Sequence, residues 1–377
     1  GDVYKRQVYT TLLFYTRRES KDDKMSRVSK VQAKLIDQDI GGLLVTSPFN
    51  LRYLSNFTGT TGLSLITQDK AYFITDFRYT EQAQDQASHM TVIEHSGDII
   101  GQVGDLLSQD GIHNLAFEND HVTYSLYQEM KEKLPSDLKP GSGLVERLRM
   151  IKDPEELATI REAVKITEAA FRHILDYIEE GMTEIQVANE LDFFMRSKGA
   201  SGVSFDTIVA SGKRSAMPHG VASDKKIERG DMITIDFGCY YKGYASDMTR
   251  TFALGDPGDK LKEIYQIVYE ANRLAAQAAK PGISGAELDK VARDHIAQAG
   301  YGDQFGHTLG HSIGLDVHED PVLSKRNPEP LQANMVVTNE PGIYLPGLGG
   351  VRIEDDLIIT EDGNEELMTV TRELIIL

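Results

Sequence analysis

The chain has 377 residues, 40 basic against 58 acidic, a net charge of −18 and a single cysteine. That length suits two domains with substantial cores, the acidity argues against nucleic acid or an anionic membrane as a main partner, and one thiol, Cys239, excludes an internal disulfide framework and suits a reducing, cytoplasmic setting. No run approaches the roughly 18 to 20 apolar residues of a membrane span, and the first residues lack the apolar stretch and small-residue cleavage site of a secretion signal.

In chain order, Met25 opens the first convincing pattern, "MSRVSKVQAKLIDQDIGGLLVTS", an amphipathic helix followed by a buried strand. Residues 1–24 therefore read as an upstream or added extension, outside the fold argument. Short apolar strands follow: "GLLVTS" at 42–47, "LSLITQ" at 63–68, "AYFITD" at 71–76, "TVIEH" at 91–95 and "NLAFE" at 114–118. Helical spacing over 75–87 and 97–109 intervenes, which makes residues 25–145 an α/β domain. No phosphate-binding glycine loop occurs there. Proline, glycine and serine cluster in "LPSDLKPGSGLVERLRM", 134–150, and mark a boundary.

A second domain, 146–377, opens with a long helix over 153–181: Asp153 can cap it, Pro154 suits its first turn and Gly181 can stop it. Thr183 with Gln186 and Ser284 with Glu287 form capping boxes ahead of two further helices, and another helix covers 259–278. Strands are expected at 231–241, 246–254, 334–345 and 351–360. Helices and strands in separate runs favour an antiparallel α+β domain. Two helices and then strands, twice over, suggest one half built twice.

Acids inside these apolar strands carry the chemistry. Asp236 in "TIDFG" and Asp247 in "ASDMT" stand eleven residues apart, and Glu340 in "VTNEPG" and Glu354 in "VRIEDD" fourteen. A single such acid is ordinarily a turn residue or an ion-pair partner, but four in core-like strands need a shared positive charge. A metal supplies one. The stretch "HTLGHSIGLDVHED", 307–320, adds three histidines among glycines that break any helix, so it reads as loop and strand. Four carboxylates and one histidine make a hard, oxygen-rich set suited to manganese, cobalt, iron or zinc in a two-metal site. Without a glycine-rich loop or an HRD loop, "DFG" is no kinase signature; "HED" is not HExxH, because residue 322 is Val. Cys239, in the apolar run "DFGCYY", reads as a core residue.

Taken in order, "MPHG", "DFG", "SDMTRTF", "GHSIGLDVHED", "NEPGIY" and "VRIEDD" resemble the pita-bread metallopeptidases, the family of methionine aminopeptidase, Xaa-Pro aminopeptidase, Xaa-Pro dipeptidase and creatinase. "LRYLSNFTGTTG" and "TDFRYTEQA" are most similar to Xaa-Pro aminopeptidases. The resemblance implies a pita-bread catalytic domain behind a smaller creatinase-type amino-terminal domain. It also implies two divalent metals, manganese first with cobalt, zinc or iron as alternatives, held by Asp236, Asp247, His311, Glu340 and Glu354, with Asp247 and Glu354 bridging.

His219, His307 and His318 would contact substrate, Glu340 would shuttle a proton to the leaving nitrogen, His318 would donate to the oxyanion, and Arg352 with Tyr344 would hold an acid or the substrate. The implied substrate is a peptide with proline at its second position, cleaved by an Xaa-Pro aminopeptidase or, as the alternative, by an Xaa-Pro dipeptidase. A catalytically inactive interaction protein on the same fold is expected to have lost ligands, and all five are present. The resemblance further implies that the amino-terminal domain, which carries no catalytic motifs, contributes to subunit contact, so at least a homodimer is expected.

Overall fold

A computed structural model describes residues 26–377, so the extension assigned to residues 1–24 lies outside the described residues. The chain divides into two compact units, one ending at Leu148 and one running from Arg149 to Leu377.

The first unit contains α1 (Arg27–Asp37), β1 (Gly42–Val45), α2 (Pro48–Ser55), β2 (Leu63–Thr67), β3 (Ala71–Thr75), α3 (Thr80–Gln86), β4 (Thr91–Glu94), α4 (Ile99–Asp110), β5 (Asn114–Phe117), α5 (Tyr124–Lys133) and β6 (Asp137–Pro140), and the short α6 (Glu146–Arg149) runs across the boundary. Its strands form one mixed sheet in the order β4-β3-β2-β1-β5-β6. The central strand β1 is buried along its whole length, hence its unbroken apolar run, whereas the edge strands β4 and β6 are largely exposed.

Two expectations change here. The helix expected over 75–87 begins only at Thr80, because the Asp76 side chain accepts from Arg78 N at 3.0 Å and from its guanidinium at 2.9 and 2.8 Å, which fixes a turn after β3. The segment 134–150 is no bare linker either. Its residues 137–140 pair in parallel with β5 and 146–149 form α6.

The second unit opens with α7 (Pro154–Tyr177) and α8 (Glu184–Ser197), followed by β7 (Gly202–Val203), β8 (Ile208–Ser211), β9 (Asp231–Phe237), β10 (Cys239–Tyr241), β11 (Tyr244–Ala245) and β12 (Met248–Leu254). Then α9 (Asp259–Ala278) and α10 (Gly285–Gln298) precede β13 (Gly310–Ser312), β14 (Glu319–Leu323), β15 (Val336–Asn339), β16 (Gly342–Leu345), β17 (Gly349–Arg352), β18 (Asp355–Ile359) and β19 (Asn364–Glu366). Capping boxes form at Asp153/Glu156, Thr183/Gln186 and Ser284/Glu287. The first helix stops at Tyr177, short of Gly181, because the chain at 181–182 leaves to pair with Ile227: Gly181 N and Ile227 N donate to Ile227 O and Met182 O at 2.8 Å.

The sheets are antiparallel, β12-β9-β8 in one and β14-β13-β15-β18-β19 in another. The second half packs α9 and α10 against its strands through a fully buried core that includes Ile264, Val268, Leu288, Ile296, Val337 and Leu357. These layers bear out the α+β reading of this unit and the α/β reading of the first.

Three of the expected long strands are broken. The run 231–241 parts at Gly238, where a Cβ would fall 1.8 Å from Ser246 O, so only glycine permits the close approach. The run 334–345 parts at Glu340 and Pro341, and 351–360 at Ile353 and Glu354. In both, the backbone turns to new partners: Glu340 N donates to Leu309 O at 2.8 Å and Glu354 N to Thr249 O at 3.1 Å. β15 and β18 therefore pair with each other, while β16 and β17 form a separate hairpin.

Candidate active site

The breaks in these strands carry the site. Asp236 lies in β9 opposite Thr249 of β12, and Asp247 immediately precedes β12. Glu340 and Glu354 occupy the residues where the two second-half strands part, and His311 is the middle residue of β13. One ligand atom each from Asp247, His311 and Glu354 lie within 4.8 Å of one another. Glu340 adjoins this triad, its Oε1 3.5 Å from His311 Nε2, which is also 3.6 Å from Asp247 Oδ2. Asp236 joins through Arg352, whose Nη2 donates to Asp236 Oδ2 at 2.7 Å.

The surroundings complete each group. His311 Nδ1 faces Ser312 O at 3.1 Å, and a carbonyl can only accept, so the proton sits on Nδ1 and leaves the Nε2 lone pair toward the carboxylates. Thr249 Oγ1 donates to Glu354 Oε2 at 2.6 Å and Thr338 Oγ1 to Glu340 Oε1 at 3.2 Å. Asp247 N donates to the buried Asp356 Oδ2 at 3.1 Å. A second chain runs through Tyr344. Arg352 Nη1 donates to its hydroxyl at 2.7 Å, and that hydroxyl lies 2.8 Å from His307 Nε2, while His307 Nδ1 faces Thr308 O at 2.8 Å. The same tautomer argument makes Tyr344 the donor to His307.

The other two histidines are exposed. The His318 ring centroid stands 4.5 Å from that of His311. His219 lies in a turn and makes no side-chain hydrogen bond with the acid cluster among the described residues. Cys239 is buried beside Thr167 and Ser246, and burial pushes its thiol up, as suits a core residue.

Electrostatics mark the acids as incomplete. Burial, and then the neighbouring acids, push Asp247 and Glu354 well above the usual carboxylate range, and burial pushes Glu340 up to about 8. Burial lowers His307 and His311 to about 4, with Arg352 and His318 respectively as the next causes, so both are neutral. Asp236 Oδ1 and Asp247 Oδ1 are buried without a hydrogen-bond partner. Four carboxylates, two of them with an orphaned oxygen, and an unprotonated imidazole nitrogen are the donor set of a divalent cation, so the residues present fit one.

Sequence reading missed Thr249, Thr338 and Asp356. The two threonines stand two residues from Asp247 and Glu340, on the same strand face, and that period was available as a signal. Asp356 was hidden as the second acid of "EDD".

Residues 158–361 match the model of metallopeptidase family M24, and residues 27–151 that of the creatinase/prolidase N-terminal domain. The structure is similar to an Xaa-Pro dipeptidase from Bacillus anthracis, with 52% identity, a TM-score of 0.92 and coverage of 93% of this chain and 99% of that one. It is also similar to an X-Pro aminopeptidase from Thermotoga maritima, with 42% identity, a TM-score of 0.85 and coverage of 90% and 98%. A curated Xaa-Pro dipeptidase of Pyrococcus furiosus is 40% identical over 355 residues, 93% of this chain and 99% of the relative.

Proposed function

The chain belongs to metallopeptidase family M24, whose peptidases are dinuclear-metal enzymes, and from that premise we propose that it hydrolyses the bond between an amino-terminal residue and a following proline. The observation that carries this reading is the buried cluster of Asp236, Asp247, Glu340 and Glu354 around His311, with two carboxylate oxygens lacking any partner. These five residues would hold two divalent cations, manganese first on the hardness of the donor set. When bound, such ions activate water as a nucleophile and polarise a carbonyl at neutral pH.

The chain's own groups do the rest. A proline nitrogen carries no hydrogen before cleavage, so it leaves only when protonated. Glu340, oriented by Thr338, is placed to carry that proton. His318, beside His311, donates to the oxygen that gains charge. Arg352 and Tyr344 fix His307 as a neutral ring that contacts substrate, and His219 adds a further exposed imidazole.

Of the two substrate subclasses, the free Xaa-Pro dipeptide is favoured, because relatives 52% and 40% identical carry the dipeptidase name. The aminopeptidase reading, which the sequence alone favoured, retains support from the 42% identical Thermotoga maritima structure. Rates on Xaa-Pro and Xaa-Pro-Yaa peptides after manganese reconstitution separate them. Faster dipeptide turnover is expected, faster tripeptide turnover would transfer the assignment to the aminopeptidase, and cleavage of neither by metal-loaded protein would end the proposal. A dimer or higher homo-oligomer in the cytoplasm belongs to the same reading, its support being an added domain without catalytic motifs; light scattering checks the assembly. No helix among the described residues is long and apolar enough to cross a membrane.

A further inference from the structure

The β15–β18 ladder ends at the pair Asn339 and Asp355. Beyond it the two strands part, and the parting residues are Glu340 and Glu354, whose amides turn away to Leu309 O and Thr249 O. The backbone contact nearest the gap is long, Ile353 N to Pro341 O at 3.4 Å. A side chain from α9 fills it. Asn272 Nδ2 donates to Asn339 O at 2.9 Å and to Ile353 O at 3.2 Å. Each of those carbonyls belongs to the peptide plane that leads into one of the two glutamates. The arrangement is reciprocal, for Asn339 Nδ2 donates to Asn272 O at 2.8 Å, and both asparagines are fully buried.

The orientation of the Asn272 amide follows from its partners. Both are carbonyl oxygens, which only accept, so the NH2 group must face them. Peptide planes are rigid; a group that ties the two planes together therefore sets the Cα positions of Glu340 and Glu354 relative to each other. The ladder cannot do so, because it has already ended. The remaining amide oxygens, Asn272 Oδ1 and Asn339 Oδ1, are buried without partners. Two unsatisfied oxygens are a poor bargain for stability alone.

We infer that Asn272 is a positioning residue, which fixes the spacing of Glu340 and Glu354 and thereby the affinity of the acid cluster for divalent cations. This rests on the metal-site reading of the cluster. A merely structural role is the competing account, and the chain contains a control for it. Asn364 uses the same chemistry on the same helix, its Nδ2 donating to Ala276 O at 2.7 Å and Ala279 O at 2.8 Å, at the helix end rather than beside the glutamates.

The test titrates manganese(II) calorimetrically into metal-free wild type, Asn272→Leu, Asn272→Ser, Asn272→Gln and Asn364→Leu, with circular dichroism and thermal unfolding of each metal-free protein. The Gln variant keeps both donors on a longer arm and guards against simple failure to fold. The Asn272 variants are expected to bind manganese about 10- to 100-fold more weakly, the scale for partners that orient metal ligands. Asn364→Leu is expected to lower the unfolding midpoint and leave the affinity alone. Folded Asn272 variants that bind within about twofold of wild type, or an Asn364→Leu loss of equal size, would overturn the inference. A wild type that binds no manganese would instead remove the metal reading beneath it.

Discussion

Two buried acids, one in each unit, show what separates a structural carboxylate from a site. Glu118, 1% exposed, follows β5 in the first unit and accepts from Thr46 N, Thr46 Oγ1 and Ser47 N at 2.6, 2.9 and 2.6 Å and from Asn50 Nδ2 at 2.6 Å. Ser47 is also the N-cap of α2, so the carboxylate sits where a helix presents free amides and positive dipole. Asp247, 4% exposed in the second unit, has one oxygen without a partner, and the groups that act most on it are other acids: Glu354, Asp236 and Asp356. Burial is common to both. What differs is whether the polypeptide completes the carboxylate, and the gap left at Asp247 is the one the proposed cation would fill.

The comparison breaks most visibly by substitution at Asp247. Asp247→Asn should lower peptidase activity by more than about 10²-fold, beyond the loss caused by outer partners of metal ligands, and should stabilise the metal-free chain. The sign follows from the raised value: an acid held above its ordinary range favours the folded state only while protonated, so it opposes folding as pH rises to neutrality, and Asn mimics the protonated form. Glu118→Ala should do the reverse, costing about 3 kcal/mol or more through unsatisfied donors, with activity per folded molecule unchanged; denaturant unfolding beside kcat measures both.

A smaller effect is expected at His318, where His318→Ala should lower kcat by about 10²-fold, the scale of one oxyanion donor, while metal content stays at the wild-type level. Lost metal there would make His318 a ligand. Tyr344→Phe sharpens the account further. It removes only the hydroxyl between Arg352 and His307, so a drop of about tenfold in kcat/KM with unchanged metal content is expected, the worth of one hydrogen bond. An unchanged kcat/KM would detach His307 from catalysis.

Much of this contrast was legible in the sequence, because charge inside an apolar alternating strand is conspicuous: Asp236, Asp247 and Glu354 could be picked out by pattern, and the glycines around His311 ruled out a helix. Capping boxes were equally local and equally readable. What could not be read was where strands stop. The runs containing Glu340 and Glu354 look continuous, since their alternation persists through the break, and only the tertiary acceptors Leu309 O and Thr249 O redirect them. Asn272 was invisible for the same reason. A polar residue in an amphipathic helix is unremarkable until the strands it ties are known. Asp76 misled in the other direction, its turn with Arg78 replacing a helical start that periodicity alone supported.

The central claim is that the incomplete acids form a two-cation site, and metal stoichiometry tests it most directly. Wild-type protein stripped with a chelator and titrated with manganese near pH 7 should bind two equivalents per chain by elemental analysis and calorimetry. Binding should also release protons, because Glu340 is pushed up to about 8 and a cation displaces the proton it holds. Peptidase activity should return with the metal. A folded wild type that binds no manganese, or an Asp247→Asn variant that still holds two equivalents, would contradict the account.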